Sequence, residues 1–306
     1  IGKMKTLRNK FNLKITNNSI LVIGNFDGLH KGHVSILNQA IKVAKNNKSK
    51  IGLLTFDPNP KEYFSKDKNF KIINFVEKQK ILSKMKLDFV IILKFNKRLR
   101  NLTADNFIKK ILKNKINPSK IIIGKEFRFG KNRSGNPKLL KRNFSTKIAL
   151  QKKIGKKKIS SSEIRELIKK GNVHKVKKLL GRNWSIYGKV VSGDKIGRTI
   201  GYRTANIFLS DCILPNRGVY VTRLYLNKMI FNGISNFGIA PTFGKKNKDV
   251  LETHLFSPIK NIYKKNVTIE FLKFLRKEKK FKSKKNLLDQ IKKDITSAKK
   301  VFKNAR

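Results

Sequence analysis

Three things are scarce in this sequence: cysteine, acidic side chains and long apolar runs. One cysteine, Cys212, stands among 306 residues. An intrachain disulfide framework is therefore excluded, and a reducing compartment, by default the cytoplasm, is expected. No apolar run approaches the roughly 20 residues of a membrane-spanning helix, and no apolar segment of the signal-peptide kind follows the N-terminus. Acids number 18 against 74 Lys and Arg, a formal charge of +56. Such a balance suits anionic partners, and nucleic acid would be the first of them. Two observations weaken that reading. The basic residues are spread along the whole chain instead of forming one arm or stripe. The chain is also heavy in Lys, Asn, Ile and Phe, which AT-rich codons encode, so genome composition is a sufficient cause. What is present is enough for two domains with separate cores: the hydrophobic fraction is 39%.

The most informative stretch runs from Ile20 to His33. Ile20 to Ile23 is an apolar run expected to form a buried strand. A glycine-containing turn follows, and then a helix with Leu37, Ala40, Ile41 and Ala44 at helical spacing. His30 and His33 thus fall where a strand end meets a helix start, a place whose free N–H groups and dipole favour an anion. Gly28 and Gly32 lack a Cβ and would let a phosphate approach the backbone. Two imidazoles there can donate to a polyphosphate and to charge growing on an attacked phosphorus. A zinc site or an inert surface pair is the alternative, but no Cys or acid lies close in sequence to complete a tetrahedral set.

Downstream, Ile51 to Phe56, Phe89 to Phe95, Ile121 to Gly124 and Lys147 to Leu150 have strand character. Phe75 to Met85 and Ala104 to Lys115, the latter capped by Thr103, have helical character. This alternation predicts a parallel sheet with helices on its faces and ligands at its carboxyl edge. Two turns are expected at that edge. One is Thr55-Phe56-Asp57-Pro58-Asn59-Pro60. The other is Gly124 to Gly130, in which Phe127 and Phe129 flank Arg128 and offer a planar ligand a stacking surface, although two such rings also suit local core. Further on, Ser160 and Glu163 have capping-box spacing, so a helix should start here. Arg165 then lies in its first turn, a poor position for a cation unless an anion is bound beside it.

These residues together resemble the bacterial bifunctional riboflavin kinase/FMN adenylyltransferase (FAD synthetase) family. The N-terminal half carries G-x-F-D-G-x-H-x-G-H, T-F-D-P, G-x-x-F-x-F-G and I-S-S-x-x-I-R in the order of that family's adenylyltransferase module. Asn59 stands where the family usually has His, and Glu126 where it has Asp or Asn. The resemblance implies that FMN phosphate attacks the α-phosphorus of ATP and releases pyrophosphate, with no protein nucleophile. It implies catalytic roles for His30, His33 and Arg165. Gly24, Phe26, Asp27, Gly28, Gly32, Ser161 and Ser162 would contact the nucleotide, and Asp57, Glu126, Phe127 and Phe129 the flavin.

After Arg182-Asn183 the texture changes to short alternating runs and close turns, which predict an antiparallel barrel closed by an amphipathic helix carrying Leu287, Leu288, Ile291, Ile295, Ala298 and Phe302. Gly193 to Gly201 is a glycine-rich loop with two cations, suited to a nucleotide phosphate or to a plain basic turn. Thr204 and Asn206 offer hard oxygen ligands suited to Mg²⁺. In the run from Leu251 to Leu255, Glu252 and His254 share one face. Here the resemblance is to the family's riboflavin kinase module. It extends through Gly218-Val219-Tyr220, the Asn236 to Phe243 run and Leu275-Arg276, with Arg203 replacing a usual proline and Ser257 a usual Asp. It implies Glu252 as general base, Gly193, Lys195, Gly197 and Arg198 around the ATP phosphates, Thr204 and Asn206 on Mg²⁺, and Arg276 near the flavin.

The expectation is therefore an α/β nucleotidyltransferase domain with a Rossmann-like parallel sheet over residues 1–181, and a riboflavin kinase barrel with a C-terminal helix over 182–306. ATP, riboflavin and FMN would be substrates, with Mg²⁺ required and no permanently bound cofactor. Self-association stays open. The competing readings are a nucleotidyltransferase with another acceptor and a basic nucleic-acid-binding protein on an inactive scaffold.

Overall fold

Ile20–Ile23 does form a strand (β2), and all four of its side chains are buried. It needs neighbours on both edges. In the computed structural model it receives them from β3 (Ile51–Asp57) on one side and β5 (Lys120–Gly124) on the other, both parallel to it. The structure describes residues 4–150, 152–155, 157–191, 202, 204–209, 211–240, 248–259 and 262–304. With β1 (Lys5–Arg8), β4 (Phe89–Lys94) and β6 (Ser145–Ala149) the sheet has six parallel strands in the order β1-β4-β3-β2-β5-β6. The chain order reverses between β2 and β5, and open α/β sheets bind ligands at the carboxyl end of such a reversal. Two of the three turns expected to carry chemistry, those after Ile23 and after Gly124, leave the sheet there. Each buried Leu, Ile or Val of these strands contributes about 1.5–3 kcal/mol.

The helix expected from Ala104 begins at that residue, and Thr103 caps it by accepting the Asn106 N–H. Its continuation, Phe107–Ile116, is wound more loosely, as a π-type helix. Strand β1 was not legible in the sequence, because its Lys-Thr-Leu-Arg residues are mostly exposed at an edge of the sheet. A two-residue pair, β7 (Lys153–Ile154) and β8 (Lys157–Lys158), follows β6.

The molecule divides into two compact units that are not contiguous in sequence. One comprises Ile1–Lys68 and Lys78–Ser160; the other comprises Asn69–Glu77 and Ser161–Arg306. Within the second unit, Ile72 O accepts from Trp184 Nε1 at 2.7 Å and Lys71 O from the Ile213 N–H at 2.7 Å. The Glu77 carboxylate accepts from Ser185 at 3.0 Å and Thr268 at 2.9 Å.

The second unit is built on a closed antiparallel barrel, β10-β13-β12-β11-β14-β9. Its strands are β9 (Trp184–Val191), β10 (Thr204–Leu209), β11 (Gly218–Leu226), β12 (Met229–Ala240), β13 (Lys248–Leu255) and β14 (Asn266–Arg276). Asn227 and Lys228 form the hairpin turn that joins β11 to β12, with Asn227 in the left-handed region. The helix Lys284–Lys303 is capped by Ser283. It lays Ala298 and Phe302 on Val219, Val221 and Ile234, which therefore form the outer face of the barrel.

Arg276, at the end of β14, grips this helix. Its Nε reaches both oxygens of Asp294 at 3.1 and 3.0 Å, and Nη2 reaches Oδ2 at 2.8 Å. Both side chains are largely withdrawn from water, so removing one partner leaves a charge desolvated and alone. Asp294→Ala is expected to lower unfolding free energy by about 3 kcal/mol in denaturant melts; a change below about 1 kcal/mol would place this pair with ordinary surface contacts.

Candidate functional sites

The turn after β2 is tightly wound. Phe26, Gly28 and Leu29 all have positive φ, at 49°, 73° and 42°. For Phe and Leu this is strained backbone, held here because both side chains are buried. Gly24 is part of the same packing: a Cβ there would lie 2.8 Å from the Phe26 ring. Asp27 is buried in the same turn.

His30 is the N-cap of the helix Lys31–Asn46, and its Nδ1 accepts the His33 N–H at 3.3 Å. The two imidazoles stack, with centroids 3.6 Å apart and planes 18° from parallel. Phe26 leans on His33 at 4.9 Å. The space that a Cβ on Gly32 would need is taken by the His30 ring at 3.1 Å, so this glycine serves ring packing. His33 Nδ1 is buried without a hydrogen-bond partner. Among the described residues no group of three His, Cys, Asp or Glu is placed to hold a metal.

Burial holds the His33 imidazole well below its ordinary pKa, and the charges of His30, Lys78 and Lys158 push the same way; a backbone interaction with Asp27 opposes them. Lys78 was not singled out in the sequence, where it is one basic residue among 74. Its ammonium donates to Asn25 O at 2.7 Å and to Thr55 Oγ1 at 2.9 Å, inside the same turn.

The other residues expected at this edge have mixed surroundings. Asp57 pairs with Arg8 at 2.7 Å, and Arg8 is 58% exposed. A pair so open to water contributes at most about 1 kcal/mol and exchanges readily. Asn59 caps the helix Pro60–Ser65 in a reciprocal box with Glu62. Glu126 is exposed and bonded to Lys158 at 2.6 Å, which lowers its pKa. Phe127 and Phe129 stack at 5.7 Å, but Phe129 lies in the core with Phe107 and Leu140 and Phe127 packs against that cluster. A more open aromatic group follows β3 and β4: Tyr63, Phe64 and Phe95 meet edge to face at 5.2–6.0 Å, and Phe64 is 60% exposed.

Ser161, Ser162 and Arg165 belong to the second unit. The helix Ser161–Lys169 starts where the capping pattern placed it. Arg165 is buried; its Nε donates to Phe70 O at 2.8 Å and its guanidinium lies 3.8 Å from the Phe70 ring centre.

In the barrel, strand register does what sequence spacing could not. Asn206 on β10 and Asn236 on β12 lie directly opposite Glu252 on its two sides, and Thr204 lies opposite His254. Directly opposed residues share a face, so Thr204, Asn206, Asn236, Glu252 and His254 form one polar field on the outer wall. Asn206 Oδ1 is buried and has no partner. A buried, unsatisfied amide oxygen beside a hydroxyl is a donor set that fits a hard cation such as Mg²⁺. Asn236 was missed as a site residue because only pairing brings it to Glu252. Gly193, Lys195, Gly197 and Arg198 lie outside the described residues. Arg276, expected near the flavin, is engaged with Asp294.

The neutral His33 has a measurable consequence. In the unfolded chain this imidazole binds a proton near pH 6.5, and in the folded chain only at lower pH. The unfolded state therefore holds more protons as pH falls, and acidification removes stability. Between about pH 7.5 and about pH 5.5 the denaturation midpoint should fall more in the wild type than in His33→Gln; equal slopes in the two proteins would exclude His33 as a cause.

Comparison with known proteins covers both halves of the chain. The FAD synthetase family profile matches residues 12–163 and the riboflavin kinase profile residues 180–302. The bifunctional riboflavin kinase/FMN adenylyltransferase of Buchnera aphidicola subsp. Schizaphis graminum is 41% identical, with 98% of this chain and 99% of that protein covered. The protein so named in Haemophilus influenzae is 36% identical over 92% of this chain and 94% of its own length. A crystal structure described as a macrolide-efflux protein from Streptococcus pneumoniae matches with a TM-score of 0.86 at 30% identity, over 97% of this chain and 99% of that one. No helix among the described residues is long and apolar enough to cross a membrane. The two profiles, in this order along one polypeptide, and relatives matching nearly end to end place the chain in the bifunctional riboflavin kinase/FMN adenylyltransferase family.

Proposed function

We propose that the chain makes FMN and then FAD at two separate sites, with residues 1–181 serving adenylyl transfer and 182–306 serving phosphorylation, in a reducing, cytoplasmic setting. The observation that carries this reading is the pairing of a stacked His30–His33 couple at a helix start with a second, independent polar field around Glu252.

At the barrel site, riboflavin is phosphorylated. Glu252 accepts the proton of the ribityl 5′-hydroxyl while the ribityl oxygen attacks the γ-phosphorus of ATP and ADP leaves. Thr204 and Asn206 would hold Mg²⁺, which supplies charge neutralisation on the phosphates. Gly193, Lys195, Gly197 and Arg198 are assigned to the phosphates by motif alone, and Arg276 to the flavin side by motif alone.

At the sheet edge, a phosphate oxygen of FMN attacks the α-phosphorus of a second ATP, the bond to the β-phosphate breaks, and pyrophosphate leaves. His30 and His33 steady the charge on the phosphates, and the helix start beneath them adds its dipole. The backbone from Gly24 through Phe26, Asp27 and Gly28 to Gly32 shapes the nucleotide pocket. Ser161, Ser162 and Arg165 are assigned to the nucleotide by motif alone. Asp57, Glu126, Phe127 and Phe129 are assigned to the flavin side, and the open Phe64 ring is an additional stacking surface.

Incubation with riboflavin, ATP and Mg²⁺, followed by chromatography, should yield both FMN and FAD. Glu252→Gln should slow FMN formation by roughly 10²-fold or more; near-native turnover would remove Glu252 as the base. His33→Ala should cut FAD formation by roughly 10²-fold or more while leaving FMN formation intact. Loss of both activities together would contradict two independent sites.

A further inference from the structure

A charged side chain from another element is bonded into the turn that carries the histidines. Lys78 comes from the helix Phe75–Ser83, is half-buried, and places its ammonium on Asn25 O at 2.7 Å and on Thr55 Oγ1 at 2.9 Å. Thr55, buried on β3, donates its hydroxyl to the same carbonyl at 3.0 Å. Asn25 immediately precedes Phe26, the first of the left-handed residues in the turn. A carbonyl held by two donors, one of them charged, cannot rotate without breaking both bonds. Its orientation fixes the path of Gly24 to Leu29, and therefore where the following His30 and His33 rings stand.

From this arrangement we propose that Lys78 is a positioning residue for FAD formation, locking the Asn25 carbonyl and supplying a permanent positive charge beside the paired histidines. The inference rests on the adenylyl-transfer reading of that site. The charged and titratable groups facing His33 are His30 from its own turn, Asp27 through its backbone, Lys78 from the helix and Lys158 from β8. Two of these are lysines from separate elements, so the surroundings of His33 are electropositive before any triphosphate enters. With both present, His33 stays neutral and donates through an N–H. An ammonium fixed in place also attracts an incoming polyphosphate without itself needing to change protonation.

A merely structural lysine and a positioning one are separable. In Lys78→Met, the His33 imidazole should titrate at least about half a pH unit higher by histidine-resolved NMR, because a nearby positive charge has gone. The acid limb of the FAD-formation profile should move up with it. kcat for FAD formation should fall by about tenfold to a hundredfold, while FMN formation by the same preparation holds its wild-type rate. Lys78→Arg, which keeps the charge, should restore the wild-type acid limb. A Lys78→Met protein whose His33 titration and pH profile superimpose on wild type overturns the inference. Equal loss of FMN and FAD formation, without rescue by Arg, also overturns it. His33→Ala run alongside separates the two levels: if it forms FAD normally, the reading of the site fails and the Lys78 proposal with it. If His33→Ala is inactive and Lys78→Met is unchanged, only the Lys78 proposal falls.

Discussion

The hydrogen bond from the His33 amide to His30 Nδ1 is the contact on which the N-terminal site depends. It caps the helix Lys31–Asn46 and leaves the His30 ring lying flat on the His33 ring. Gly32 makes that possible, since a side chain there would displace the His30 ring. The left-handed turn before it is held by buried Phe26 and Leu29 instead of by favourable dihedrals. The strain and the stacking are thus two parts of one device, which presents a helix start and two imidazoles at the carboxyl edge of the sheet.

The barrel solves its own placement problem differently. Among the described residues, antiparallel register gathers its polar groups. Asn206, Glu252 and Asn236 lie in one row across three neighbouring strands, and the row faces outward. The interior is closed instead by apolar side chains and a chain of three hydroxyls, Thr222, Ser235 and Thr253, linked at 2.7 and 2.8 Å. A filled barrel of this size leaves its chemistry to the outer wall, where the C-terminal helix covers part of the surface through Arg276 and Asp294.

Acids are rare in this protein, and several stand at joints. Glu62 closes a capping box, Asp88 accepts the first amide of β3, Glu77 accepts two hydroxyls in the second unit, and Asp294 anchors the last helix. Three of these acids serve as acceptors for amides or hydroxyls, and Asp294 pairs with the Arg276 guanidinium.

Much of both sites was legible in the residues. The buried β2, the histidine pair at a helix start, the helix beginning at Ser161, and the alternation of Glu252 with Leu251 all follow from local periodicity and capping, which sequence records directly. Lys78, Asn236 and the Arg276–Asp294 pair were not legible, because each acquires meaning from a partner far along the chain. Phe127 and Phe129 had a local pattern that served core packing as well as stacking, and only tertiary contact shows how deeply Phe129 is buried. Segment Asn69–Glu77 is the clearest case: its sequence sits between two strands of the parallel sheet, yet its carbonyls and carboxylate satisfy donors of the barrel unit. The amino-acid order alone determined which elements form and which chemical groups stand at their ends, since both are short-range consequences of backbone and side-chain chemistry. Which of those groups face one another was decided by strand order and register, which are long-range outcomes of burying two separate cores.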